Sequence, residues 1–166
     1  MSLIQLNELS RSYYVGGSEI KALKPINLSI GKGEFLAIFG QSGSGKSTML
    51  NMLGILDRPS SGEYLLEGSN VANLSDKQMA AVRCKKIGII FQSFNLFTHL
   101  NILENVCVPM EYAGIPKAQR TEKAAALLNQ VGLGDRLKHL PSELSGGQCQ
   151  RVAIARSLAN DPPLIL

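Results

Sequence analysis

The chain has 166 residues, 45% hydrophobic and 18% charged, which is enough for one domain with a real core and excludes a disordered segment. No apolar run approaches the about 20 residues of a membrane-spanning helix, and residues 1–5 lack a charged leader ahead of an apolar stretch, so a cytosolic location is expected. The net charge of +4 rests on scattered Lys and Arg with only Arg83, Lys85 and Lys86 clustered, and no nucleic-acid partner is expected.

The first predicted element is a strand over 3–9, where Leu3, Leu6 and Leu9 alternate with Gln5, Asn7 and Glu8. Residues 11–15 lead to a glycine turn at 16–18. A second strand is predicted within 22–30, centred on Ile26–Ile30, and ends at a tight Gly31-Lys32-Gly33 turn. Phe35–Phe39 is apolar throughout, and Glu34–Phe39 reads as a buried strand. It feeds the segment Gly40-Gln41-Ser42-Gly43-Ser44-Gly45-Lys46-Ser47-Thr48, behind which Met49–Leu53 opens a helix predicted to run to about Leu56. Strand, G-x-x-x-x-G-K-S and helix in that order form a phosphate-binding loop. Glycines let backbone N–H groups converge on an anion, and the helix N-terminus adds its own donors and dipole. Lys46 can reach the β- and γ-phosphates, and the Ser47 hydroxyl suits a Mg²⁺ ligand.

A short strand is predicted at Glu63–Leu66, and Ser75 is a plausible N-cap for a helix over 76–83. Ile87–Phe91 is a continuous apolar run of the kind found in buried parallel strands, and it ends abruptly at Gln92. A loop over 93–98 is followed by helices at 101–110 and 117–130 and a short helical piece near 135–138. Residues 93–144 are therefore predicted to form a helical subdomain inserted in an α/β core made of 1–92 and 145–166. Leu144-Ser145-Gly146-Gly147-Gln148 then opens a helix predicted over 145–159, with Ser145 as N-cap and exposed N–H groups behind it. This is a second anion-binding helix N-terminus. Pro163–Leu166 begins a further strand. Cys84, Cys107 and Cys149 have no metal spacing and read as buried or incidental thiols, and His99 and His139 lie far apart.

The two loop motifs together resemble ATP-binding cassette (ABC) ATPases. Gly40–Ser47 matches the Walker A motif and Leu144–Gln148 the signature motif of that family. The resemblance implies an α/β P-loop NTPase core with antiparallel edge strands, ATP and Mg²⁺ as cofactors, and head-to-tail homodimerisation. Ser145, Gly146, Gly147 and Gln148 would then act on the partner subunit's ATP. Gln92 matches the glutamine that senses Mg²⁺ and the γ-phosphate and couples to the membrane domain, and Lys46 is the other catalytic candidate. Tyr13 matches the aromatic that stacks on adenine, with Tyr14 as the alternative. Residues 42–51, 54–59, 87–96 and 150–156 are similar to ATPases of the lipoprotein-release and macrolide-export branch, whose partner is an integral-membrane permease. That implies a peripheral place on the inner face of the cell membrane.

In that family the strand opening at Leu164 continues into an acidic pair that orders Mg²⁺ and polarises the attacking water, and a switch histidine follows. The sequence ends at Leu166, so the resemblance implies a chain truncated before these groups, with slowed hydrolysis. The alternative is a non-hydrolytic nucleotide-binding or interaction module. An ABC-type ATPase of DNA repair or translation is disfavoured, because the sequence has no long coiled coil and no second P-loop.

Overall fold

Alternating apolar and polar residues at the start of the chain build a long antiparallel hairpin, β1 (Ser2–Val15) and β2 (Ser18–Gly31), turned by Gly16 and Gly17 at φ 58° and 82°. The structure is a computed structural model; it describes residues 2–166 and divides into two compact units, Met1–Met79 and Ala80–Leu166. Both hairpin strands are longer than the predicted 3–9 and 26–30, because cross-strand pairing continues to Val15 opposite Ser18. Tyr13 thus lies within a strand, opposite Ile20.

In the first unit, α1 (Lys46–Leu53), β3 (Ser61–Leu66) and β4 (Ser69–Asn70) follow, and the sheet order is β2-β1-β3-β4, antiparallel throughout. Ile4, Leu6 and Leu9 are fully buried, and α1 turns Met49, Met52 and Leu53 inward at helical spacing. Each such side chain contributes about 1.5–3 kcal/mol relative to exposure. The helix stops at Leu53 rather than Leu56, since Gly54 caps it and Ile55 adopts a left-handed φ of 52°.

One predicted strand is absent. Residues 34–39 are not paired, and Phe35 and Phe39 are 93% and 90% exposed. Apolar composition reports a tendency to be buried, whereas a strand also needs a neighbour for its ladder. Among the described residues of this unit, none runs alongside 34–39: β2, which precedes it, pairs only with β1.

The second unit takes up α2 (Asp76–Lys86) from Ala80 onward and continues with β5 (Ile87–Gly88), α3 (Ile102–Tyr112), α4 (Lys117–Gln130), 3-10 turns at Gly134–Arg136 and Pro141–Glu143, α5 (Gly146–Ser157) and β6 (Leu164–Ile165). β5 and β6 pair in parallel, and Ile90 N–H continues the ladder to the Leu166 carbonyl at 2.8 Å. The run over 87–91 is therefore only partly strand. Its core is the packing of α3, α4 and α5 through Ile102, Val106, Met110, Ala124, Leu128 and Val152, all fully buried. Cys107 and Cys149 are buried, with thiol pKa values pushed up by burial. Among the described residues, no helix is long and apolar enough to cross a membrane.

Candidate functional site

The glycine-rich loop has the form its sequence demands. Gly43 and Gly45 hold left-handed φ values of 80° and 88°, and a Cβ on Gly45 would lie 2.5 Å from the Ala22 carbonyl oxygen of β2. A Cβ on Gly40 would lie 2.5 Å from Ser44 Oγ. The loop is thus drawn against the hairpin at a point where only glycine fits. Gly45 is the N-cap of α1; among the described residues no side chain caps that end, and its first turn holds no acidic residue. The free N–H groups and the helix dipole face outward together.

Lys46 folds back over the loop, where its ammonium donates to the carbonyls of Gly40 at 2.8 Å and Gln41 at 2.6 Å and to Ser44 Oγ at 3.4 Å. A cation held on neutral oxygens beside an uncapped helix start is a receptor for a polyanion. Ser42 and Ser47 are exposed and Thr48 half-buried on the same loop, so the Ser47 hydroxyl is accessible and would suit a hard divalent cation. The residues present fit a Mg²⁺-bound triphosphate.

The Tyr13 hydroxyl donates to Asp57 Oδ2 at 2.7 Å, and Arg11 Nη2 donates to Asp57 Oδ1 at 2.8 Å. The Arg11 guanidinium also stands over the Tyr13 ring, 4.5 Å from its centroid. Burial pushes the Asp57 carboxyl upward, but the Tyr13 hydroxyl, the Arg58 amide and Arg11 outweigh it and hold the carboxyl below its ordinary value. Tyr14 is 76% exposed.

The second unit carries the other predicted residues. Ser145 caps α5 as expected, its Oγ accepting from Gln148 N–H at 3.4 Å while Gln148 Oε1 accepts from Ser145 N–H at 2.8 Å. A Cβ on Gly147 would meet nothing within 4 Å among the described residues, and one on Gly146 only the Phe94 ring at 4.0 Å. Neither glycine is required by packing or by φ, so both leave this helix start bare on its open side. Gln92 is exposed where the 87–91 run ends. Just beyond it, Phe94 and Asn95 both hold left-handed φ, 61° and 48°. Arg156 of α5 clamps this pair, donating to their carbonyls at 2.7 and 2.6 Å, and burial lowers its pKa from the ordinary value. Asn105, fully buried in α3, accepts from Phe97 N–H at 2.8 Å and donates to the carbonyls of Phe97, Leu100 and Asn101 at 3.0 Å each.

Sequence reasoning missed Arg11, Asp57, Asn105 and Arg156. Arg11 and Tyr13 share a strand face by their i, i+2 spacing, and Asn105 stands at a core position of an otherwise apolar α3 face; both signals were legible. Asp57 and Arg156 act across 44 and 62 residues of sequence, and nothing local announces them.

Comparison with known proteins places the chain in a family. The family model described as ABC transporter matches residues 23–166. The chain is 51% identical over 164 residues to the ABC transporter ATP-binding protein YknY of Bacillus subtilis (strain 168), covering 99% of this chain and 71% of that protein. It is equally 51% identical to the macrolide export ATP-binding/permease protein MacB of Hyphomonas neptunium, of which it spans 25%. Among solved structures it resembles the dimeric post-hydrolysis state of the ATP-binding cassette MJ0796 bound to ADP and Pi, with a TM-score of 0.90 and 43% identity over 98% of this chain and 72% of that one.

Proposed function

This chain belongs to the ABC transporter family and has its α/β ATPase cassette fold, and from that premise we propose that it is the ATP-binding subunit of a macrolide-export or lipoprotein-release type transporter. The observation that carries this reading is the loop 40–48, whose ammonium, free amides and glycine-enforced curl converge beside an uncapped helix. Lys46, held in place by the loop oxygens, transfers its hydrogen bonds to the β- and γ-phosphate oxygens and neutralises charge there. Gly40, Ser42, Gly43, Ser44, Gly45 and Thr48 supply the surrounding amides and hydroxyls. Ser47 Oγ would hold a Mg²⁺ ion that offsets phosphate charge, with Gln92 as the further ligand that the family resemblance implies. Tyr13 receives the adenine.

The α5 N-terminus at Ser145–Gln148, capped by Ser145 and sterically open at Gly147, closes over the nucleotide of a second copy in a head-to-tail homodimer. Gly147, with open space where a side chain would stand, lets the phosphates approach that backbone. The similarity to MacB, whose name joins an ATP-binding part to a permease, supports an integral-membrane partner and a peripheral place on the inner membrane face. Residues 93–144 form the helical subdomain that faces this partner, and 1–92 with 145–166 form the nucleotide-binding core.

Titration calorimetry with ATP·Mg²⁺ tests the site: Lys46→Ala should weaken binding by at least about ten-fold, the value of one lost charge-assisted contact. Unchanged affinity overturns the reading. Phosphate release by the same preparations separates a hydrolysing subunit from a binding-only module. Co-purification with a permease tests the membrane assignment.

A further inference from the structure

Three side chains close a ring at the hairpin tip. Asp57 accepts from the Tyr13 hydroxyl with one carboxylate oxygen and from Arg11 with the other, at 2.7 and 2.8 Å, and the Arg11 guanidinium covers one face of the Tyr13 ring at 4.5 Å. Arg11 and Asp57 are only 22% and 25% exposed, so the pair is sheltered from solvent screening. Asp57 lies four residues beyond the end of α1, the helix that begins at Lys46, so the ring ties the tyrosine strand to the element that carries the phosphate loop. The same hairpin touches that loop directly: Ile20, opposite Tyr13, is two residues from Ala22, whose carbonyl abuts Gly45.

We propose that Arg11 and Asp57 are positioning residues for base recognition: they pin the Tyr13 ring by its hydroxyl and one face, leaving the opposite face for a nucleobase whose phosphates lie in the 40–48 loop. The proposal rests on the reading of Tyr13 as the stacking residue. Its physical content is preorganisation. A phenol anchored at its far end has already lost the rotamer freedom that stacking would otherwise cost. A cation behind the ring also draws its π-density backward, so the free face meets an electron-rich purine more favourably.

The test compares two ligands on the whole chain by calorimetry, Mg·ATP and Mg·tripolyphosphate. Tripolyphosphate reports the phosphate loop alone, and the ratio of the two dissociation constants reports the base. Tyr13→Ala should weaken ATP by roughly 5- to 100-fold and leave tripolyphosphate within about two-fold. Arg11→Gln and Asp57→Asn should each weaken ATP by about 3- to 10-fold with the same selectivity. Tyr13→Phe removes only the anchor and should match Asp57→Asn, and combining the two should cost no more than either alone. Equal loss of both ligands in Arg11→Gln and Asp57→Asn marks a merely structural role and overturns the proposal. So does tighter ATP binding in Arg11→Gln, which marks Arg11 as an obstruction. If Tyr13→Ala raises the dissociation constant of ATP relative to that of tripolyphosphate while Arg11→Gln and Asp57→Asn do not, the proposal fails and the Tyr13 reading stands. An unchanged ratio in Tyr13→Ala overturns both, and failure of the unaltered chain to bind either ligand overturns the phosphate-loop reading beneath them.

Discussion

Gly45 and Gly147 are both motif glycines, yet they are glycine for different reasons. Gly45 is left-handed, with the backbone oxygen of Ala22 where a Cβ would go, so its identity is required by the fold. Gly147 is ordinary helix backbone facing open space. In chemical denaturation, Gly45→Ala should therefore lose about 1–3 kcal/mol, the cost of forcing a side chain into that conformation. Gly147→Ala should stay within about 0.5 kcal/mol of the parent, as a surface change does. Under the proposed function Gly147→Ala should nonetheless reduce ATP-dependent dimer formation measured by light scattering, because a methyl group now stands where the partner's phosphates approach. A destabilised Gly147→Ala, or one that dimerises normally, removes the case for this glycine as a contact. Both glycines are legible as motif members from sequence; which one the fold itself requires needed the geometry.

At the level of elements, the segment after Gln92 is held by its neighbours as well as by its own turns. Two consecutive left-handed residues, Phe94 and Asn95, are clamped from α5 by Arg156, and the following turn is bonded from α3 by Asn105. Asn105→Leu keeps the volume but leaves Phe97 N–H and the Leu100 carbonyl without a partner, while the Phe97 and Asn101 carbonyls keep the Leu100 and Asn105 amides. The expected loss is about 2–4 kcal/mol, since each buried unpaired group costs about 1–3. Hydrogen exchange should show it as faster exchange confined to 97–101, with the α4 amides unaffected. The helices were the most readable elements, because Asn101 with Glu104 and Ser145 with Gln148 form capping boxes and because α4 fills the predicted 117–130. The strands were less so. Hairpin length is set by pairing at a distance, which residues 10–15 do not advertise, and the apolar run 35–39 promised a strand that, among the described residues of its unit, has no neighbour to make it one.

For the molecule as a whole, the largest departure from ordinary surface chemistry is that unpaired run. Phe35 and Phe39 are almost wholly exposed, with Leu36 at 44% beside them. Unpaired apolar backbone of this kind invites strand addition from other copies. The 166-residue chain should therefore self-associate with rising concentration, and Phe35→Lys with Phe39→Lys should raise the concentration at which sedimentation first detects oligomers. An unchanged threshold would show that this segment is not what the copies share. The hairpin tip has a different consequence. The chain holds four tyrosines and no tryptophan. Tyr64 is buried with its hydroxyl donating to the Leu53 carbonyl, and Tyr14 and Tyr112 are 76% and 82% exposed. Tyr13 alone lies beneath a guanidinium with a carboxylate on its hydroxyl. Its near-ultraviolet absorption and emission are thereby set apart from those of the other three, with no indole to outshine them. The protein carries its own optical reporter on the strand beside the phosphate loop.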